Sequence, residues 1–267
     1  MRQSSFSAQE LICMAGLCEK KTIYGIPDGF AAVYEEDMPA AFQQVNDSLI
    51  KSRIAEMNFD GKVILHDEYR ELIHVCCDCE KCLTVNIQRA DRTAADYIFW
   101  QTERSLHMAE AVGNQYVFSR TDAAMIRMLT AEYSFSGNGA AESLELVIPQ
   151  TELLKAKRQA RGGNHDGAVR ILRQNGADER LSHIIAEGLD EKAVYIGILY
   201  MDNRESSCRQ TEIAYLNSQG AVFQLGQTVM NFRTCAVFRE VDGADARQAL
   251  SDLIDQFLDC GRESEGI

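Results

Sequence analysis

An α+β fold made by internal duplication is what this sequence predicts: a pseudo-twofold module with a central antiparallel sheet of two four-strand meanders and helices packed against it. Three observations predict it. Stretches with apolar residues at helical spacing precede stretches of period two. The order helices, four strands, helix occurs twice. The repeat length, about 110 residues, marks a duplicated module rather than a solenoid. On this reading residues 1–267 form a single pseudo-symmetric domain with half-repeats at about 1–135 and 145–260. A chain of 267 residues that is 46% apolar can bury a substantial core.

The first helix is signalled by Ser7-Ala8-Gln9-Glu10, a capping box in which Ser7 holds the first amides and Glu10 reaches back. It runs to about Cys18. A second helix is expected over Ala40 to Met57, with Ile50, Ile54 and Met57 at helical spacing, and a third over Asp67 to Cys77, where Tyr69, Leu72, Ile73, Cys76 and Cys77 make one apolar stripe. From Cys82 the period becomes two: Leu83, Val85 and Ile87 alternate with polar residues. YIFWQT, SLHMAEAV and QYVFSR follow, separated by short polar turns. A helix from about Asp122 to Tyr133 closes the first half. SFSGNGAAES, Ser134 to Ser143, is the one plausible seam. Beyond it, helices at Thr151–Ala160, Gly167–Gln174 and Asp178–Glu187 precede the strands AVYIGILYM, RQTEIAYLNS, AVFQLG and MNFRTCAVFRE. A last helix runs from Ala244 to Leu258.

The formal charge of −13 disfavours nucleic acid and anionic membranes, which take their affinity from clustered Lys and Arg. No window is apolar for long enough to span a bilayer, so no membrane insertion is expected. LICMAGLC, Leu11 to Cys18, lacks the basic flank and small-residue cleavage site of a signal peptide. Nine cysteines with no export signal point to thiols in a reducing cytoplasm. The expected partner is therefore a protein or a small molecule.

HVCCDCEKC, His74 to Cys82, carries the densest chemistry. A closed zinc site wants four Cys or His ligands, commonly as two pairs, and Cys79-Glu80-Lys81-Cys82 supplies one pair. Successive helical residues diverge by about 100°, so Cys76 and Cys77 cannot share an ion, whereas Cys76, Cys79 and Cys82 could line one edge. The other reading is structural: Cys76 and Cys77 complete the buried stripe, while Cys79 and Cys82 flank the turn into the first strand. The structural reading is preferred, with no metal or cofactor expected and Cys76, Cys79 and Cys82 as the alternative metal set. RGGNHDG, Arg161 to Gly167, lacks the strand and the Gly-Lys-Ser/Thr ending of a phosphate loop and reads as a polar connection between helices. Trp100, within YIFW, is either core or a binding platform, and core is the better account. No paired carboxylates, no nucleophile with its base and no cofactor loop emerge, so no catalytic residue is assigned.

The order of elements also resembles a known family. SAQELICMAGL leading to YGIP, then NFDGKVILHDEYRELIHVC and the strands LTVNIQ, YIFWQ and SLHMAEA, are similar to the EspG family of secretion-associated proteins of ESX (type VII) systems. In the second half DERLSHIIAEGL, AVYIGILYM, EIAYLNSQGAVFQL and the closing helix follow the same order. The cysteine content and CCDCEKC depart from the family's pattern and mark a distant member, from a Gram-positive bacterium outside the mycobacteria. The resemblance implies a pseudo-twofold α+β fold and a non-enzymatic cytosolic chaperone that binds a helical secreted substrate and keeps it soluble for export. A zinc-stabilised interaction module and an enzyme of undetected type stay as alternatives, and a homodimer stays open. No contact residue carries over. The loop RADRTAAD, with Arg89, Asp91 and Arg92, and the helices of Thr151 to Glu187 are the first candidates for a partner-binding surface.

Overall fold

The structure, a computed structural model, describes residues 5–89, 91, 93–103, 105–131, 135, 144–190, 193–204 and 207–259. In chain order its elements are β1 (Ser5–Phe6), α1 (Ala8–Leu17), α2 (Met38–Lys51), β2 (Ala55–Met57), β3 (Val63–Leu65), α3 (Asp67–Cys77), β4 (Lys81–Gln88), β5 (Ala94–Gln101), β6 (Leu106–Val112), β7 (Gln115–Arg120) and α4 (Ala123–Ala131). There follow β8 (Glu145–Pro149), α5 (Gln150–Arg161), α6 (His165–Gln174), α7 (Glu179–Leu189), β9 (Val194–Asp202), β10 (Arg209–Ser218), β11 (Ala221–Met230), β12 (Arg233–Val241) and α8 (Gly243–Leu258).

Ten strands form one antiparallel sheet in the order β1-β7-β6-β5-β4-β9-β10-β11-β12-β8, and β2 and β3 form a separate pair. Each meander runs outward from its first strand, with β4 and β9 as neighbours at the middle. Asn203 N–H donates to the Glu80 carbonyl and Gln88 Nε2 to the Ala193 carbonyl, so numbers rise along one strand as they fall along the other. The two halves therefore share one strand order, as the repeated pattern predicts.

The chain packs as two compact units. One comprises residues 1–84, 97–122 and 200–210; the other comprises 85–96, 123–199 and 211–267. This division differs from a cut at the seam: the tip of the β4–β5 hairpin counts with the second unit and the tip of the β9–β10 hairpin with the first.

The first unit is organised around aromatic residues. Trp100 is fully buried, stacks on Phe118 at 5.5 Å and donates its indole N–H to the Tyr24 carbonyl at 2.9 Å. Phe6 meets the edges of Tyr69 and Phe118, each at 5.9 Å. Core, not platform, is the role of the single tryptophan. The Ser7–Glu10 capping box is present with both reciprocal bonds, which fixes where α1 begins.

In the second unit α5, α6 and α7 cover one face of the outer strands. Leu146, Ile148, Phe223 and Phe238 from the sheet pack with Ala156, Leu172 and Ile185 from the helices. Ser218, buried in β10, donates to the Ile184 carbonyl at 2.8 Å, which satisfies its hydroxyl inside the core.

Several expectations need correction. The second helix ends at Lys51, not Met57, because Arg53 adopts φ 59° and turns the chain into β2. Between β2 and β3, Asn58 accepts hydrogen bonds from the Asp60 and Lys62 amides and Gly61 sits at φ 73°, making a tight hairpin. The helix in RGGNHDG starts at His165, since Asn164 caps it by accepting from Gly167 N–H. The edge strand β8 is new, and most of the predicted seam lies outside the described residues. The strand expected to open at Met230 begins at Arg233, because Met230 ends β11 and Asn231 and Phe232 form the turn.

Candidate interaction surface

Of the residues singled out by sequence, Cys76, Cys77, Cys79 and Cys82 come together, but inside the first unit. All four are buried: Cys79 in the α3–β4 turn and Cys82 at the start of β4 flank that turn with their side chains in the core. The Asn203 side-chain amide donates to the Cys79 carbonyl at 3.3 Å and lies 3.9 Å from its sulfur. Among the described residues no three His, Cys, Asp or Glu side chains are gathered as a metal-holding group.

Desolvation pushes the Cys77 and Cys79 thiols up to about 12, and Cys76 and Cys82 well above their ordinary value. These sulfurs stay protonated at neutral pH, which suppresses nucleophilic and redox chemistry. The consequence for stability has a definite sign. An unfolded thiol loses its proton near its ordinary value of 9.0, the folded ones only near 12, so stability is intact below about pH 9 and falls as pH rises toward 12. The urea midpoint should be lower at pH 10 than at pH 8. The drop should be smaller in Cys82→Ala, and an equal drop in both proteins would contradict this account.

The partner-binding candidates Arg89 and Asp91 lie in the β4–β5 turn, and Arg92 lies outside the described residues. Asp91 is committed locally: its carboxylate accepts from the Thr93 amide at 2.9 Å and the Thr93 hydroxyl at 2.6 Å. Arg89 N–H donates to the Thr93 carbonyl at 2.8 Å, closing the same turn. In the other candidate region, the helices of Thr151 to Glu187, the apolar stripes mostly face the core, and the His165 and His183 rings lie 5.7 Å apart, tilted by 34°.

The surface that stands out lies elsewhere. Val229, Met230 and Phe232 are 71%, 50% and 102% exposed, three large apolar side chains within four positions. The register of β11 on β10 runs no further than Leu225, and that of β12 on β8 no further than Cys235. Residues 226–234 therefore form a projecting arm: Gly226, Gln227 and Thr228 pair with β12 at Val237, Ala236 and Cys235, and Val229↔Thr234 and Met230↔Arg233 pair within the arm itself. Alternation along the strands puts Val229 and Thr234 on one face and Met230 and Arg233 on the other.

The turn at the arm's tip is unusual. Asn231 and Phe232 have φ 48° and 61°, the mark of a type I′ turn, whose second position favours glycine. The β10–β11 turn obeys that preference, with Gln219 at 51° and Gly220 at 80°. A phenylalanine there costs about 1–2 kcal/mol in backbone strain and gains no burial. The missed signal was QTVMNFRT: Asn231 marks the turn, but flanking apolar residues disguise it as strand.

A groove of about 480 Å³ lies at the base of the arm, lined by Glu145, Val147, Gly226, Met230, Val237 and Arg239. A Cβ built on Gly226 would meet nothing nearer than Val237 Cβ at 4.0 Å, so the glycine leaves an open floor. From Ile213 to Arg239 the only charged residues are Arg233 and Arg239. Arg239 Nε pairs with Glu145 at 2.9 Å, while Arg233 has no carboxylate partner among the described residues. Thioether, aromatic, aliphatic and guanidinium groups are what this surface presents.

Among solved structures the chain is similar to a type VII secretion chaperone. That structure is the Mycobacterium tuberculosis chaperone EspG5 in complex with the PE25-PPE41 dimer; the identity is 11%, the TM-score 0.47, and the match covers 95% of this chain and 96% of that one. No family model matches, and no curated protein is similar. No residue of this chain takes a role from that likeness. Among the described residues no helix is long and apolar enough to cross a membrane.

Proposed function

We propose that this chain is a non-enzymatic, cytosolic adaptor that binds a helical secreted protein of a type VII (ESX) system and keeps it soluble until export. The observation that carries the reading is the arm of residues 226–234, which holds Val229, Met230 and Phe232 in water at the end of β11 and β12. A monomeric protein gains nothing from such exposure, and large apolar side chains held out together mark a surface meant to be covered. The class of partner follows from the resemblance of SAQELICMAGL, NFDGKVILHDEYRELIHVC and DERLSHIIAEGL to the EspG pattern, which implies helical clients. The formal charge of −13 argues against nucleic acid as the alternative occupant.

Co-expression with the small helical secretion proteins encoded beside its gene should give a complex that survives gel filtration. Calorimetry of that complex should show a negative heat-capacity change, because apolar area is what becomes buried. Separate elution of every such protein, together with turnover of a small molecule by the chain alone, would replace the adaptor reading with an enzymatic one.

A further inference from the structure

We infer that the arm of residues 226–234 is the docking element itself, and that its occupant is the apolar face of an amphipathic helix flanked by carboxylates. The inference rests on the adaptor reading for the client's biology, but the surface chemistry stands on its own.

Among the described residues two hairpin tips expose a methionine and a phenylalanine. On β2–β3, Met57 and Phe59 are 60% and 111% exposed, and the charged residues beside them are Glu56, Asp60 and Lys62. On the arm, the neighbouring charge is Arg233, which shares a face with Met230 by cross-strand pairing. An acidic helix is repelled by most of a chain of net charge −13, whereas at the arm's tip Arg233 stands with no carboxylate partner among the described residues. From Ile213 to Arg239 the sequence has no acid of its own, and the one carboxylate lining the groove, Glu145, is paired with Arg239.

The groove beside the arm fits the same occupant. Val147, Val237 and Met230 offer an apolar floor, Gly226 leaves room above it, and Arg239 lies at its edge. An apolar helical stripe laid along that floor brings a flanking carboxylate to Arg233, the arrangement by which helix-in-groove recognition combines affinity with register. Phe232 explains itself on these terms. A residue kept in a conformation that suits glycine, with its ring wholly in solvent, contributes to binding what it withholds from stability.

The test uses the full-length protein and two labelled synthetic amphipathic helices with the same leucine stripe, one flanked by glutamate and one by lysine, read by fluorescence anisotropy. The glutamate helix should bind about tenfold more tightly than the lysine helix at low salt, and the preference should shrink as salt rises. Arg233→Glu should reverse or abolish the preference. Phe232→Gly should weaken binding at least about tenfold while its thermal midpoint is unchanged or higher, since glycine suits the turn. Gly226→Leu should fill the groove and block binding with the fold intact.

Equal affinity for the two helices would overturn the proposal. So would wild-type affinity in Phe232→Gly and Gly226→Leu, or concentration-dependent dimerisation of the chain that these variants abolish while helix binding is unaffected. Because the peptides are not secretion substrates, their binding can succeed while every natural client fails, or the reverse, so failure of this site and failure of the adaptor reading are told apart.

Discussion

Trp100→Ala is expected to cost about 3–5 kcal/mol, the range for truncating a large buried aromatic. The side chain is fully buried, so the transfer term is lost in full. It stacks on Phe118, which itself touches Phe6, so the cavity opens in the middle of a three-ring cluster that cannot easily collapse. Its indole N–H also satisfies the Tyr24 carbonyl, and that acceptor loses its donor. Urea unfolding followed by circular dichroism checks the value, because the variant has no tryptophan left to report by fluorescence. Trp100→Phe should lie between, restoring much of the stack but not the hydrogen bond. A loss below about 1 kcal/mol for the alanine variant would mean that the three rings do not form a core.

Gly25→Ala, next to the carbonyl that Trp100 binds, is expected to cost about 2–4 kcal/mol by two separable routes. Gly25 has φ 78°, where an L side chain is strained. Its Cβ would also stand 2.6 Å from Ile98 Cγ2 and 3.1 Å from Thr84 Cγ2, both on strands that pair within the sheet. Ile98→Ala removes the nearer methyl, so the double variant should lose less than the sum of the single variants. The conformational part should persist in that double variant. Strict additivity would show that the crowding relaxes without cost and that backbone strain accounts for the whole effect.

Much of the fold was legible because local rules agreed with tertiary demands. The Ser7–Glu10 box names its own helix start, and the alternation of Leu83, Val85 and Ile87 names a strand with one covered face. What escaped was set by partners distant in sequence or by turns without the usual residues. Ile54 and Met57 fit a helical period as well as a strand, and only the positive φ of Arg53 separates the two. β8 is a strand because β12 lies beside it, about ninety residues later. Cys79 is buried in part because Asn203 closes over it. The exposed arm escaped for a related reason: Phe232 occupies a glycine's place, so the rule that finds such turns passes over this one. The loop of Arg89 and Asp91 attracted attention by its charge, but the Asp91 carboxylate is engaged in closing its own turn.

The division of the chain into its two compact units also has a consequence for synthesis on the ribosome. The first unit takes residues 200–210 as part of its body, and Asn203 from that segment bonds to both Glu80 and Cys79. A nascent chain that has emerged as far as α4 thus holds nearly all of this unit and still cannot finish it. The buried thiols around Cys79 wait in a partly open state until the ribosome has added some seventy to eighty further residues, several seconds at ordinary elongation rates. During that interval apolar surface that ends up in the core of the first unit is open to solvent and to other chains.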